Sequence, residues 1–306
     1  MSEIFDVIIV GAGAAGLTAG LYTTHLELST LLLENDIVGG ELVDRDVIEN
    51  YPGFPDGILG SKLSSLMINQ LMRYKPEIVR SAGQQIELED DYKIVKTIEG
   101  DYVGKTVILA GGTSHKKLGI PGEEDLLYRG VMYCAICEGP DYAGKVVAVA
   151  GGGDSGVIEG LFLTRYASEV IIIEMTPQLN AAKALQGRVS SNPKIEVMCN
   201  TKIEKIIGNE QVTGINTVDV KTGRERSLDV DGVLIRVGLN PNTAYLEGTI
   251  PLDNNRQILV NENMETEIVG IFAAGDIRHN SPVYCATAVG DGATAAISVQ
   301  KYLRRF

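Results

Sequence analysis

The stretch of sequence that decides the fold is residues 5–16, FDVIIVGAGAAG. A short run of β-branched apolar residues stops at a glycine motif, and an alanine-rich helical stretch comes next. This order of strand, tight turn and helix is typical of a dinucleotide-binding unit. A second strand, TLLLE, ends at Glu34, whose carboxylate can accept both hydroxyls of an adenosine ribose. The sequence therefore predicts a dinucleotide site at the start of the chain.

The same pattern recurs later in the chain. The strand KVVAVA is followed by GGGDSG at 151–156, by a helical stretch, and by a strand VIIIE that ends at Glu174. Gly11 and Gly151, like Glu34 and Glu174, stand 140 positions apart. One such motif is weak, but two in the same context predict two dinucleotide-binding units. The alternative is a pair of glycine-rich turns that bind no ligand.

Further glycine-bearing strands suggest how the two units share the chain. TVILAGG at 106–112 and DGVLIRVGLNP at 231–241 occupy matching places after each unit, and GIFAAGD at 270–276 precedes a helix of small residues. We predict an α/β fold of two Rossmann-like, three-layer ββα domains, the second inserted into the first. The outer dinucleotide-binding domain is predicted at 1–114 and 245–306, and the inserted dinucleotide-binding domain, which carries Cys134 and Cys137, at 115–244.

Composition excludes several classes of function. The 306 residues carry a formal net charge of −13, which argues against nucleic acid as a partner because phosphate backbones are bound by clustered Lys and Arg. The first residues, MSEIFDVIIV, lack the basic start of a signal peptide, and no apolar run is long enough to span a membrane. Four cysteines are too few for a disulfide scaffold. We predict a cytoplasmic protein without a membrane partner.

Two of the four cysteines, Cys134 and Cys137, stand three apart. Thiols at this spacing can close a disulfide across a helical turn, and a helix N-terminus lowers the pKa of a thiol placed there. Half of a zinc site is the competing interpretation, but the three histidines show no metal spacing, so no metal is predicted. Glu138 follows directly, either as a proton carrier whose pKa is raised by burial or as a solvated surface residue.

Over essentially its whole length the chain resembles the low-molecular-weight thioredoxin reductases of the flavoprotein pyridine nucleotide-disulfide oxidoreductase superfamily. The resemblance is carried by six segments in order: GAGAAG at 11–16, GGELVDRDVIENYPGFPDGI at 39–58, CAICEG at 134–139, GGGDSG at 151–156, GIFAAGD at 270–276 and ATAVGDG at 286–292. It implies bound FAD, a redox-active disulfide, a homodimer, and a thioredoxin or glutaredoxin-like protein as partner.

The resemblance also implies which residues act. Cys137 is expected to be the thiol near the flavin, Cys134 the thiol that attacks the partner, and Glu138 the acid. Residues expected to contact FAD are Gly11, Gly13, Ala14, Gly16, Glu34, Gly40, Glu41, Asn50, Ala110, Gly111, Gly275, Asp276, Cys285 and Ala286. Residues expected to contact NADH are Gly151, Gly153, Asp154, Ser155, Gly156 and Glu174.

The electron donor is where this chain departs from the family pattern. NADPH-dependent members carry a His-Arg-Arg group after the second glycine motif, which clamps the 2′-phosphate. Here residues 174–180 read EMTPQLN and hold no positive charge. Because Glu174 repels a 2′-phosphate and suits a 2′-hydroxyl, the sequence favours NADH over NADPH. Members that take electrons from ferredoxin or from a reduced deazaflavin lack the clamp too, so that donor class stays open.

Two other functions also fit. A flavin dithiol oxidase acting on a small molecule needs no nicotinamide, and a non-catalytic flavin redox sensor needs no turnover. The identity of the protein partner is open as well, because residues 139–142, GPDY, replace a pair of exposed aromatic residues that thioredoxin-using members often show.

Overall fold

The computed structural model describes residues 4–89 and 91–304. The outermost residues of the first predicted domain, 1–3 and 305–306, lie outside this range. The helices α1 to α6 are Ala14–His25, Gly60–Met72, Ala135–Glu138, Asp154–Leu163, Lys183–Ser190 and Cys285–Leu303. The strands β1 to β19 are Ile4–Val10, Thr30–Glu34, Val47–Ile48, Ile58–Leu59, Glu77–Arg80, Gln85–Leu88, Lys93–Lys96, Asp101–Leu109, Thr113–His115, Val131–Met132, Val146–Ala150, Glu169–Ile173, Ile195–Met198, Thr201–Gly208, Val212–Asp219, Glu225–Leu228, Gly232–Ile235, Leu239–Pro241 and Ile271–Ala273.

The chain forms two compact units. Unit 1 comprises the described residues up to Ser114 and from Asn240 onward, and unit 2 comprises His115–Leu239. The second crossing therefore comes before residue 240 rather than at the predicted 245. At this crossing β18, Leu239–Pro241, forms a two-stranded sheet with β9, Thr113–His115.

Unit 1 is built on a sheet in the order β5-β2-β1-β8-β7-β6, with β19 also paired to β8. β5, β2, β1, β8 and β19 are parallel, and β7 and β6 are added antiparallel. Val7 and Ile9 pack with α1, α2 and α6 on one face, and Ile8 and Val10 pack into a second cluster on the other. The continuous apolar run in β1 follows from this burial on both faces, which parallel sheets require.

Unit 2 has three layers. A parallel sheet in the order β10-β17-β11-β12-β13 lies between helices and an antiparallel sheet of β14, β15 and β16. Val147 and Val149 pack with residues of α3, α4 and α5, whereas Ala148 and Ala150 pack with residues of β14 and β15. The predicted α/β class, with two Rossmann-like folds, is confirmed.

In each unit the glycine motif and its glutamate lie at the carboxyl edge of that unit's own parallel sheet. In each, the glycine motif follows the carboxyl end of one parallel strand, and the glutamate stands at the end of the next. The carboxyl edge of a parallel sheet is where dinucleotides bind. Among the described residues, no helix has the length and apolar character that a membrane span needs.

Candidate active site

The glycine motif of unit 1 forms a turn that only glycine fits. Gly11 has φ +104°, and a Cβ there would lie 2.3 Å from the Ala110 carbonyl oxygen. A Cβ on Gly16 would lie 1.9 Å from the Gly11 carbonyl oxygen. Gly13, by contrast, has no atom within 4 Å of its Cβ position, and Ala14 begins α1 directly after it. The turn therefore leaves open space at the N-terminus of α1, and the free N–H groups of a helix N-terminus are suited to bind a pyrophosphate.

Glu34 is oriented by this turn. Its Oε2 accepts the Ala12 N–H at 2.7 Å, and its Oε1 accepts the Asp36 N–H at 3.0 Å. The following segment returns to the turn, because Gly39 donates its N–H to the Ala12 carbonyl at 2.9 Å. A Cβ on the next residue, Gly40, would lie 3.1 Å from the Gly13 Cα. A ribose hydroxyl approaching this edge would meet a carboxylate already held in place.

Unit 2 repeats the two backbone bonds to the carboxylate 140 positions on, and the bond from the returning segment 141 positions on. Glu174 Oε2 accepts the Gly152 N–H at 2.7 Å, and Oε1 accepts the Thr176 N–H at 2.9 Å. Asn180 donates its N–H to the Gly152 carbonyl at 2.9 Å. The Thr176 hydroxyl lies 3.0 Å from Glu174 Oε1 and 2.7 Å from the Gln178 carbonyl oxygen, to which it donates its proton. The internal repeat is thus a repeat of site geometry as well as of sequence.

The second glycine motif has the same steric demands. A Cβ on Gly151 would lie 2.1 Å from the Arg236 carbonyl oxygen, and one on Gly156 would lie 2.0 Å from the Gly151 carbonyl oxygen. Gly153 has open space at its Cβ position. Asp154 begins α4, where its Oδ1 accepts the Ala182 N–H at 2.7 Å, and the Ser155 side chain that follows is exposed. Both turns can receive a dinucleotide on steric grounds.

The redox motif also lies in unit 2. Cys134 and Cys137 form a disulfide with a Cα–Cα distance of 5.4 Å. Cys134 is the N-cap residue of α3, and its Sγ accepts the Cys137 N–H at 3.1 Å. Cys134 is half-buried and Cys137 is exposed. A thiolate formed at the N-cap position would keep this N–H donor, which favours the ionised form.

Glu138, the last residue of α3, is half-buried rather than solvated. Burial raises the pKa of its carboxyl above the ordinary glutamate value, and the nearby Asp141 charge raises it further. Burial also raises the pKa of Tyr142 to about 12, with the charges of Glu138 and Asp141 adding to the effect. A carboxyl whose pKa is raised in this way holds a proton more readily than a fully solvated glutamate does.

The comparison with protein families decides the identity of the chain. The model of the pyridine nucleotide-disulphide oxidoreductases matches residues 5–292. The chain belongs to this family. It is an FAD-dependent disulfide oxidoreductase.

Several disulfide oxidoreductases are similar along the whole chain. Thioredoxin reductase of Bacillus subtilis is 42% identical over 306 residues, covering 99% of this chain and 96% of the relative. The crystal structure of Lactococcus lactis thioredoxin reductase matches with a TM-score of 0.96 and 37% identity, covering 99% of this chain and all of that one. A ferredoxin-flavin thioredoxin reductase from Clostridium acetobutylicum matches with a TM-score of 0.55 and 26% identity, covering 99% and 98%.

The oxidoreductase motif GIFAAGD packs against the first glycine turn. Gly275 has φ +80°, and a Cβ there would lie 2.9 Å from the Ala15 Cβ at the start of α1. Its N–H donates to Asp291 Oδ2 at 3.1 Å, and Arg278 holds both oxygens of that carboxylate at 2.6 and 2.9 Å. Asp276 follows, and burial raises the pKa of its carboxyl. The close contact between this turn and α1 leaves no room for a side chain on Gly275.

Three ionisable side chains of unit 1, those of Tyr51, Asp276 and Cys285, interact electrostatically. Burial raises the pKa of Cys285 to about 11, and the Asp276 charge adds to the rise. Burial raises the pKa of Tyr51 as well, and Cys285 contributes. Tyr51 was not predicted from the sequence, although it directly follows the predicted Asn50 in NYPGFPDG.

The remaining predicted FAD residues are exposed or half-buried. Asn50 is exposed, Ala286 is half-buried at the start of α6, and Glu41 is exposed and paired with Arg45 at 2.9 Å. The charges of Glu41 and Arg45 act on Asp276, so these residues lie near it.

The carboxyl edge of unit 1 also holds a buried hydroxyl. Ala110 donates its N–H to Val10 at 2.8 Å, and the Gly111 carbonyl accepts from the Asn242 side chain at 2.8 Å. The Tyr245 hydroxyl, 4.0 Å from the Gly111 Cβ position, is buried and has no hydrogen-bond partner among the described residues. An unpaired buried hydroxyl beside Gly111, at the carboxyl edge of the sheet that also carries the open glycine turn and Glu34, fits a bound dinucleotide such as FAD.

Proposed function

We propose that this oxidoreductase is a thioredoxin-reductase-type enzyme that passes electrons from NADH, through FAD, to the Cys134–Cys137 disulfide and on to a thioredoxin-like protein. The similarity of the chain to thioredoxin reductases supports a thioredoxin-like protein as the partner. The donor rests on one observation, which is the environment of Glu174.

Glu174 favours a nicotinamide dinucleotide without a 2′-phosphate. Its side chain is only 8% exposed and accepts two backbone hydrogen bonds, from the N–H groups of Thr176 and Gly152. A carboxylate held in this way cannot turn aside from a 2′-phosphate, and residues 174–180 offer no positive charge to offset the repulsion. A 2′-hydroxyl, however, can donate to the carboxylate.

The chain supplies binding, orientation and proton transfer. Gly13 and Gly153 leave the two helix N-termini open to phosphates, while Glu34 and Glu174 orient riboses. Bound FAD supplies the chemistry that joins a two-electron donor to a disulfide.

The redox motif completes the proposed sequence. The disulfide gains two electrons and two protons and opens to two thiols, and Glu138 is proposed to carry a proton. Cys134 is proposed to attack the disulfide of the partner, and Cys137 to close the ring again as the reduced partner leaves.

Anaerobic titration of the flavin absorbance tests the donor. We expect NADH to bleach the flavin at a lower concentration than NADPH. The opposite order would contradict the Glu174 argument. Bleaching by reduced ferredoxin or a reduced deazaflavin, with neither nicotinamide active, would favour the donor class of the Clostridium acetobutylicum relative.

The partner needs a separate assay. Turnover of thioredoxin and of a glutaredoxin-like protein should be compared, and Cys134→Ser should abolish both while leaving flavin reduction intact. Oxygen consumption with a small dithiol alone would indicate the oxidase instead, and a flavin that no dithiol can reduce would indicate a sensor.

We also propose a cytoplasmic homodimer, and sedimentation equilibrium of the holoenzyme tests the subunit number.

A further inference from the structure

A buried ion pair in unit 2 contacts the redox helix α3. Arg236 Nε lies 2.7 Å from Glu159 Oε1, and its Nη2 lies 2.8 Å from Glu159 Oε2. The two side chains are 6% and 10% exposed. The same Oε2 accepts the N–H of Ala135, the first residue of α3, at 3.2 Å. Glu159 therefore joins the helix that carries the disulfide to the interior of its unit.

The second glycine motif fixes the position of Arg236. Its N–H donates to the Ala150 carbonyl at 2.8 Å, at the end of β11. Its carbonyl oxygen would lie 2.1 Å from a Cβ on Gly151, and its own Cβ would lie 3.5 Å from one on Gly156. Arg236 thus touches both ends of the glycine turn with its backbone and Cβ, and reaches Glu159 with its guanidinium.

We propose that Glu159 and Arg236 are positioning residues for disulfide exchange, which hold the N-terminus of α3 and set the acidity of the Cys134 thiol in the reduced enzyme. This deepens the proposed function and rests on the exchange role of Cys134.

The two charges act in opposite directions on that thiol. Reduction adds two electrons and two protons, breaks the S–S bond and leaves two thiols; the nucleophile forms when Cys134 releases its proton. The Glu159 carboxylate, bound to the N–H next to Cys134, disfavours a second negative charge there. Arg236 offsets it. The pair together leaves the thiolate stabilised by its N–H donor from Cys137.

Other titratable groups of unit 2 surround α3 and stay unchanged in the test. Glu138 lies on α3 itself, Asp141 and Tyr142 lie in the turn packed against it, and Asp154 lies on α4 with Glu159. The positive groups Lys145, over the Tyr142 ring, and Arg165, over the Phe162 ring, also keep their charges, so every variant is compared in the same surroundings. Removal of the positive Arg236 and of the negative Glu159 must therefore produce shifts of opposite sign.

The test uses Glu159→Gln and Arg236→Gln, which remove one charge each and keep hydrogen-bonding groups. The holoenzyme is reduced anaerobically with a trialkylphosphine, which becomes the phosphine oxide, and is alkylated with iodoacetamide across a pH series. Fragment mass spectra distinguish Cys134 from Cys137. We expect the apparent pKa of Cys134 to fall by about one unit in Glu159→Gln and to rise by about one unit in Arg236→Gln. The double variant should return close to the wild-type value.

A purely structural role predicts a different pattern, because loosening α3 from either side would change the reactivity in the same direction. Shifts of the same sign, or no shift in either variant, would overturn the proposal. Arg236→Lys keeps the positive charge and should keep the wild-type pKa even if it lowers stability. Lys117→Gln, in the exposed pair with Glu124 of the same unit, is the matched control and should change nothing.

The readout needs neither NADH nor thioredoxin, so its failure is distinct from failure of the proposed donor or partner. Wild-type alkylation confined to Cys137 would overturn the exchange role assigned to Cys134. Thermal unfolding of each variant shows whether the unit is folded when its thiol is measured.

Discussion

The Gly152 N–H donates to Glu174 Oε2 at 2.7 Å, the same length as the bond from Ala12 to Glu34 in the other unit. Each carboxylate is oriented before any nucleotide arrives. A nucleotide that bound at either position would therefore have to order few side chains, which lowers the entropic cost of binding.

Glu174→Gln should weaken NADH binding and relax the discrimination against NADPH. Because a hydrogen bond to a charged group is worth about 1.5–3 kcal/mol, we expect the KM for NADH to rise at least tenfold. The NADH to NADPH preference should fall, since the repelling charge is gone. Steady-state kinetics with both donors checks this. Glu34→Gln is the matched control, which should weaken FAD binding and leave the KM for NADH unchanged.

Glu138→Gln should slow disulfide turnover by about 100-fold, which is the usual contribution of a general acid. Reduction of the flavin by the donor should be unaffected. Stopped-flow absorbance separates the two half-reactions. An unchanged rate of partner reduction would show that another group supplies the proton.

The same variant should alter the dependence of stability on pH. Burial raises the pKa of Glu138 in the folded protein above its unfolded pKa. The stability linked to protonation of this carboxyl is therefore fully present below the unfolded pKa and is lost as pH rises through the folded pKa. Glu138→Gln should therefore be more stable than wild type near neutral pH, and the gap should close in acid. Thermal unfolding at several pH values tests the sign, and a gap that widens in acid would contradict it.

Cys285 should react slowly with alkylating reagents. Because burial raises its pKa to about 11, its thiolate fraction near neutral pH is roughly 100-fold below that of an ordinary cysteine. Iodoacetamide labelling of Cys285 in the native holoenzyme, compared with the same residue in denaturant, measures this. Asp276→Asn removes the neighbouring negative charge and should speed the native reaction.

Asp291→Ala should destabilise unit 1 strongly. It leaves the Arg278 guanidinium, which is only 14% exposed, without its carboxylate partner, and it removes the acceptor for the Gly275 N–H. We expect a loss of about 3–5 kcal/mol in the free energy of unfolding, with faster release of FAD. The double variant Asp291→Ala/Arg278→Met should recover part of the loss in urea unfolding. If the two single changes simply add, the pair is not coupled in this way.

The glycine motifs and their glutamates could be read from the sequence because the constraints are local. A turn that admits no Cβ at Gly11 and Gly16 needs glycine at fixed spacing, and a strand of fixed length brings Glu34 to the same edge. Cys134 at a helix N-terminus was foreseeable for the same reason, since the disulfide closes over one turn.

The long-range pairs could not be predicted. Arg236 and Glu159 are separated by 77 positions, and neither residue carries a local signal for the other. Tyr51 becomes part of the Asp276 and Cys285 group only through packing of distant segments. Which side chain pairs with a buried charge depends on the tertiary structure, because burial makes an unpaired charge costly. A short window of sequence contains no information on that burial.

The paired strands β9 and β18 have a consequence for how such a chain can arise. Lys116 donates its N–H to Gly238 at 2.9 Å within unit 2, and Asn242 donates its N–H to Gly112 at 3.0 Å within unit 1. Backbone hydrogen bonds thus hold the first and last residues of unit 2 close together, and they hold the two chain segments of unit 1 that flank the insertion close together as well. An insertion with its ends already together adds little loop-closure entropy to its host, whatever its length. A complete folded module could therefore be gained, exchanged with a homologue or removed in a single genetic event, while the host sheet keeps every strand in register.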